Sequence, residues 1–259
     1  MADQEGVTVE HIIQDSCSDD GTQDWLPTDS RVTAFIETDE GMYDAINRGL
    51  QRATGEICGY LNCDEQYLPG ALAKVSTFFN NHPKVDVLFG DVVLVNTRGE
   101  PLSYRRAVLP TRQHVRLSHL NTASCATFFR RRLTERGFHF DTGWKTIGDA
   151  VWIDNLLQHE IKMATLPAPL ATFTFTGINL GATGLSDSEV QEWRGPLSVA
   201  RKLRMIGVIF WHRIKKALAG AYRRRRVEID TFTLESPDKR QHFVGEKVGF
   251  GWVSQDRDL

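Results

Sequence analysis

An α/β fold, with a mostly parallel sheet flanked by helices and a C-terminal amphipathic helix followed by a short strand-containing tail, is predicted by three observations. Strand-like apolar runs alternate with helix-period segments twice within the first ninety residues, as parallel strands joined by crossover helices require. Two of these runs, Val9–Ile13 and the one reaching Leu61, end in acid-rich turns, Asp15-Ser-Cys-Ser-Asp-Asp-Gly-Thr22 and Asn62-Cys-Asp-Glu65. A chain of 259 residues, 41% hydrophobic, suffices for one large α/β domain with an appendage or for two small domains.

The elements follow in order. Val7–Gln14 reads as a strand, Asp15–Thr22 as a turn into a short helix around Gln23–Leu26, and Thr33–Glu37 as a second short strand. Tyr43, Ile46, Leu50 and Ala53 recur at helical spacing, with Asp39-Glu-Gly41 before them and Thr54-Gly55 as a stop. Ile57–Leu61 reads as a buried strand, and Pro69 suits the first turn of a helix over Pro69–Asn80. Val85–Phe89 is a strand, and Asp91–Asn96 either extends it or begins the next before the Arg98-Gly-Glu turn. The apolar segment Ala123–Phe129, a helix over Thr146–Gln158, and strand and loop character over Thr165–Thr176 complete a first unit, residues 1–195.

Residues 196–259 change character. Over Leu197–Ala221, Val199, Leu203, Ile206, Phe210, Ile214, Ala217 and Ala221 fall at intervals of three or four, with Arg201, Lys202, Arg204, Arg213, Lys215 and Lys216 expected on the opposite side. After Arg223–Arg226, Val227–Leu234 reads as a strand that Phe243–Val253 pairs with across Ser236–Gln241. The net charge of −2 hides an asymmetry: residues 1–195 carry 17 Lys/Arg against 26 Asp/Glu, and residues 196–227 carry ten Lys/Arg and no acid. Such a helix, with Trp211 and Tyr222 available for a headgroup layer, fits an anionic membrane surface. The alternative is packing on the acidic first unit or at the subunit interface of an oligomer. Nucleic acid is disfavoured as a partner, since the cations sit on one apolar helix without interleaved exposed aromatics.

Cys17, Cys58, Cys63 and Cys125 contain no Cys-x-x-Cys pair, which argues against a disulfide framework or structural zinc and for thiols in a reducing compartment. The acidic N-terminus lacks a signal-peptide pattern, and no run approaches the roughly 18 apolar residues that span a bilayer. The expectation is a cytoplasmic protein, peripheral on the inner face of the plasma membrane if the basic helix binds there.

Acids at the mouths of strands in an α/β sheet face the crevice where ligands bind. Asp64 is a candidate oxygen ligand for Mg²⁺ or Mn²⁺, and Glu65 adds a ligand or orients water; the alternative is a solvated acidic turn. A cation there offsets the charge that gathers on a departing diphosphate. Asp15 is placed to accept hydrogen bonds from a base or ribose, whereas Asp19 and Asp20 read as turn-shaping. Asp44 and Asn47 flank the start of the Tyr43 helix, and Arg48 or Arg52 is either a phosphate contact or a solvated helix face. Asp149, after Ile147-Gly148 and before Ala-Val-Trp-Ile, is either a general base for an acceptor hydroxyl or an N-cap.

Taken together, Glu10–Thr22, Glu40–Leu50, Ala53–Glu65, Phe89-Gly-Asp91 and Gly148-Asp149 resemble the family 2 glycosyltransferases over residues 7–180. The resemblance implies a GT-A-like fold and an inverting, metal-dependent transfer from a UDP- or GDP-linked sugar to a glycan or polyprenyl-linked acceptor, in surface polysaccharide synthesis. It implies Asp15, Asp44, Asn62 and Asp64 on the donor side, Asp64 with Glu65 at the metal, and Asp149 as the base. Asn62 stands at the first position of an Asp-x-Asp-like motif where many members have aspartate. Members also begin with an apolar strand and helix before the position matching Val7, and about six residues precede it here. That difference implies another sheet edge, a truncated form, or a strand from a second subunit. Two other readings stand beside this one. A sugar nucleotidyltransferase would carry a glycine-rich phosphate loop near its N-terminus, and none is present. A non-catalytic glycosyltransferase-like scaffold or subunit is favoured by the short N-terminus and opposed by Asp15, Asp64 and Asp149.

Overall fold

The computed structural model describes residues 1–176, 184–196 and 198–252; Leu197 and Val253, each at the end of a predicted segment, lie outside them. β1 (Ile12–Asp15) and β2 (Thr33–Ile36) pair in parallel, joined through α1 (Thr22–Trp25) and a 3₁₀ turn at Leu26–Thr28. α2 (Met42–Arg52) buries Tyr43 and Leu50 of the predicted stripe, with Ile46 and Ala53 partly buried beside them and Asn47 buried in addition, and leads to β3 (Ile57–Gly59). β4 (Glu65–Tyr67) precedes α3 (Ala71–Asn81), which buries Ala71, Val75 and Phe79. β5 (Val87–Val95) is buried at all nine residues, so the segment after Asp91 extends the strand. β6 (Pro101–Arg105), α4 (Arg112–Leu117), β7 (Thr127–Arg130), α5 (Arg132–Glu135), α6 (Gly148–Gln158) and β8 (Met163–Thr174) follow.

The main sheet has the order β3-β7-β5-β8-β4, with β6 on the remaining length of β5. Its pairing is mixed, not mostly parallel: β5–β8 is parallel, whereas β3–β7, β7–β5, β5–β6 and β8–β4 are antiparallel. The reason lies in the connections. The chain doubles back through a turn at Gly99 (φ +87°) instead of crossing over, so β6 returns antiparallel. Among the described residues no strand pairing joins the β1–β2 ladder to this sheet. Glu10 links them, accepting from the backbone N–H of Thr54 and Gly55 ahead of β3.

β5 shows why the sheet organises the core. Its side chains alternate between faces. Val87 and Phe89 join Tyr43, Phe129, Phe140, Trp152 and Leu156 on the α2–α6 side. Leu88, Val92 and Leu94 join Val75, Phe79, Phe128 and Leu170 on the α3 side. At Gly90 a Cβ would lie 2.3 Å from the Leu170 side chain, so glycine is what lets β8 pass this close.

α7 (Gly184–Arg194) and α8 (Val199–Leu218) precede an antiparallel ribbon, β9 (Arg225–Thr233) with β10 (Ser236–Val248). The ribbon packs Val227, Ile229 and Val248 onto Val93, Val95 and Tyr104, so the tail returns to the sheet. Its turn is tighter than predicted: Ser236 already pairs with Thr233, and an irregularity before Gln241 absorbs the polar residues expected to form the loop.

Candidate active site

β3 delivers the acidic turn. Gly59 lies opposite Phe128 in the antiparallel β3–β7 pair, so the 3₁₀ turn Ser124–Ala126 ahead of β7 sits at the same end of the sheet as Tyr60–Asp64. The turn is closed from both sides: Glu65 N donates to the Asn62 carbonyl at 3.1 Å, and Asn62 N donates to Glu65 Oε2 at 2.8 Å. Ser124 Oγ approaches the other Glu65 oxygen at 3.5 Å. Burial pushes the Glu65 carboxyl up to about 7, against the Asn62 hydrogen bond and helped by the charge of Asp64. Glu65, expected at a metal, therefore has its carboxylate engaged inward. Asp64 and Asn62 are partly buried.

Asp149 opens α6. A Cβ on Gly148 would lie 2.6 Å from the Tyr43 ring, so this glycine admits Tyr43 against the helix start. The Tyr43 hydroxyl lies 3.3 Å from the Thr146 carbonyl and 3.5 Å from Asp149 Oδ1. Ala150 N donates to the same Asp149 oxygen at 2.7 Å. Burial pushes the Asp149 carboxyl up to about 6 despite both donors. Asp149 lines a narrow crevice of about 10 Å³ with Tyr60, Thr122, Ser124, Phe140 and Trp152. Ser124 thus borders both Asp149 and Glu65, joining the α6 start to the acidic turn.

The other candidates are held by their own neighbours. Asp15 ends β1 buried, accepting from Ser18 N at 2.9 Å and Ser18 Oγ at 2.6 Å. Asp44 accepts from Glu40 N at 3.0 Å and pairs with Arg48 at 2.7 Å. Asn47 is buried and bonds both ways to the Phe140 backbone. Arg48 and Arg52 both pair with Glu37, which occupies them on the β1–β2 side. Tyr43, Tyr60 and Ser124 escaped the sequence reading because an aromatic at a core position and a serine in a loop carry no local mark of a site. Glu189 of α7, whose carboxylate accepts the backbone N–H groups of Lys145, Thr146 and Ile147 just before Asp149, escaped it too, because those partners lie 42 to 44 residues away along the chain.

Among the described residues no three His, Cys, Asp or Glu side chains converge as a metal cage. Asp64 and Asn62 are hard oxygen donors, which suits a cation that completes its shell with phosphate and water. The glycosyl transferase family 2 model matches residues 1–141. The chain belongs to that family. Glycosyltransferases of PGL/p-HBAD biosynthesis from Mycobacterium bovis and Mycobacterium tuberculosis are 38% identical over 68 residues, 26% of this chain. That match spans 27% of those relatives' length. An uncharacterized glycosyltransferase of Nostoc sp. is 23% identical over 203 residues, 71% of this chain and 61% of its own. Among solved structures, S. aureus TarS in complex with UDP superimposes with a TM-score of 0.53 at 19% identity, covering 74% of this chain and 63% of that one. The mannosyltransferase PcManGT from Pyrobaculum calidifontis, in complex with GDP-Man and Mn²⁺, gives 0.50 at 19% identity, covering 84% and 67%. Likeness at this identity shows the shared fold, and the chain has the GT-A architecture.

Proposed function

We propose that this glycosyltransferase moves a sugar from a UDP- or GDP-linked donor to a hydroxyl of a glycan or polyprenyl-linked acceptor, inverting the anomeric carbon. The observation that carries the reading is the Asp149 carboxylate. It lines the crevice beside Tyr60 and Ser124, and its pKa of about 6 leaves it an unprotonated base at neutral pH. Asp149 removes the proton of the acceptor hydroxyl as its oxygen bonds to the anomeric carbon. The bond from that carbon to the donor diphosphate breaks on the opposite side, and the nucleoside diphosphate departs. Tyr43 and Ala150 N hold Asp149 Oδ1, which fixes the direction of its free oxygen.

Asp64, with Asn62, would hold Mg²⁺ or Mn²⁺, and Glu65 closes the turn that presents them. A bound cation supplies charge compensation to the leaving diphosphate. Asp15 and Asp44 lie on the donor side, Asp15 toward the base or ribose. The UDP, UDP-GlcNAc and GDP-Man complexes of the structural neighbours support a nucleotide-sugar donor. The PGL/p-HBAD relatives support an acceptor in glycolipid or surface-glycan synthesis. We place the enzyme on the cytoplasmic face of the plasma membrane, residues 1–195 being the catalytic unit and 196–259 its extension.

Calorimetric titration with UDP and with GDP, each with and without Mn²⁺, tests the donor side. Metal-dependent binding of one nucleotide is expected. A folded chain that binds neither would return the scaffold reading.

A further inference from the structure

Helix α8 is 20 residues long, about 30 Å, and is capped by Ser198, whose hydroxyl accepts from Arg201 N at 3.2 Å. A helix with an apolar stripe ordinarily turns it toward the protein. In α8 the inward face is mixed, and a separate apolar line is left outside. Met205, Val208 and Ile209 are half-buried on the inner side, beside polar contacts: His212 is buried with its ring stacked on His114 of α4 at 3.7 Å between centroids, and Arg201 donates to the Arg194 and Gly195 carbonyls at 2.5 and 2.6 Å. Facing away are Val199, Leu203, Ile206 and Phe210, 75%, 67%, 62% and 65% exposed. They recur at four, three and four residues and form one line along the helix. Trp211 and Leu218, also exposed, widen it on one side.

The cations border this line instead of opposing it. At about 100° per residue, Lys202 and Arg213 fall along one margin of the stripe, and Arg204 and Lys215 along the other, beyond Trp211. No acid interrupts residues 196–227, and Arg223–Arg226 continues the charge past the helix end. Among the described residues no helix is long and apolar enough to cross a membrane.

We propose that α8 lies in the surface of an anionic lipid bilayer, its apolar line among the acyl chains and its two cationic margins against the headgroups. Charge decides the occupant. A second copy docked here about a two-fold axis would bring cationic margins together, which opposes association. An anionic lipid surface meets both margins with opposite charge, and the exposed aliphatic and aromatic side chains insert roughly 5–10 Å. The proposal gives the peripheral attachment above a defined surface and rests on no part of the sugar-transfer chemistry.

The test is sedimentation of the full chain with vesicles of phosphatidylcholine alone or mixed with phosphatidylglycerol, at low and high salt. The chain is expected to bind the mixed vesicles, to release them at high salt, and to leave phosphatidylcholine largely unbound. Because Leu203 and Phe210 are exposed, the double variant Leu203→Asp/Phe210→Asp is expected to keep the native circular dichroism and UDP binding while losing at least about tenfold in vesicle affinity. The variant Lys202→Glu/Arg213→Glu is expected to weaken binding to anionic vesicles specifically. Absence of binding to mixed vesicles, or binding unchanged in the Leu203/Phe210 variant, would overturn the proposal. So would a dimer in sedimentation velocity that this variant dissolves, which would assign the stripe to a second copy.

Discussion

Glu189 on α7 accepts the backbone N–H of Thr146 at 2.8 Å and the Thr146 hydroxyl at 2.7 Å with the same carboxylate oxygen. Its other oxygen takes the Lys145 N–H at 2.7 Å, and the Ile147 N–H completes the set at 3.3 Å. Three successive backbone donors just before Asp149 are thus gathered on one buried side chain from a different helix. Glu189→Ala leaves these donors without their acceptor and is expected to cost about 2–3 kcal/mol in urea denaturation. Turnover should fall while KM for the donor stays near the parent value, because Glu189 acts through the position of Asp149. Glu189→Gln keeps one carbonyl acceptor and should restore part of the turnover. A variant that loses stability but keeps full turnover would limit Glu189 to folding.

Asp149→Asn preserves shape and removes the proposed base. Turnover is expected to fall by roughly 10²–10⁴-fold with UDP affinity nearly unchanged. In the parent, the acid limb of the turnover profile should lie near pH 6, because burial holds the carboxyl protonated below that point. A limb near pH 4, or normal turnover in the variant, would remove Asp149 from the role.

Asp64 and Glu65 are adjacent but should respond differently. Asp64→Ala is expected to abolish Mn²⁺-dependent nucleotide binding in calorimetry. Glu65→Gln addresses stability instead. The folded-state pKa of Glu65, about 7, lies above its ordinary value of 4.5, so the folded state holds the proton more tightly. Its contribution is complete below pH 4.5 and is lost as pH rises through 7. Glu65→Gln should therefore stabilise the chain at pH 8, by as much as roughly 3 kcal/mol, with the gain vanishing by pH 4.5. Equal stabilities at pH 8 would contradict the burial argument.

His114 and His212 hold α8 against α4 as neutral rings. Burial lowers His114 to about 3, helped by His212 and His119, and lowers His212 to about 4, helped by Lys216. Their ordinary value is 6.5, so on acidification the unfolded chain takes up protons that the folded one refuses. Stability is complete above pH 6.5 and declines as pH falls toward 4. His114→Phe keeps a ring for stacking and removes one titration, so its urea midpoint should fall less than the parent's between pH 7 and pH 4.5.

The helix α2 was legible because its apolar residues recur every three or four positions, and α3 because Pro69 marks its start. The acidic turns after β1 and β3 were legible for a similar reason, since strand ends and turn residues are local. β4, with three residues, carries no alternation to read, and β6, α4 and α7 have short or weak patterns. The roles of Tyr43 and Glu189 depend on contacts 106 and 43 residues away along the chain, with Asp149 and Thr146. No local pattern encodes such distances.

The amino-acid sequence by itself determined the α/β class, the positions of the acidic turns and the amphipathic character of residues 199–218, all properties of neighbouring residues and their period. Tertiary structure alone decided that most pairings in the main sheet are antiparallel, and that Glu65 turns inward to Ser124. It also decided that the apolar line of α8 faces away from the protein. Those outcomes follow from which distant surfaces bury each other, and a helix has two faces until its neighbours choose one.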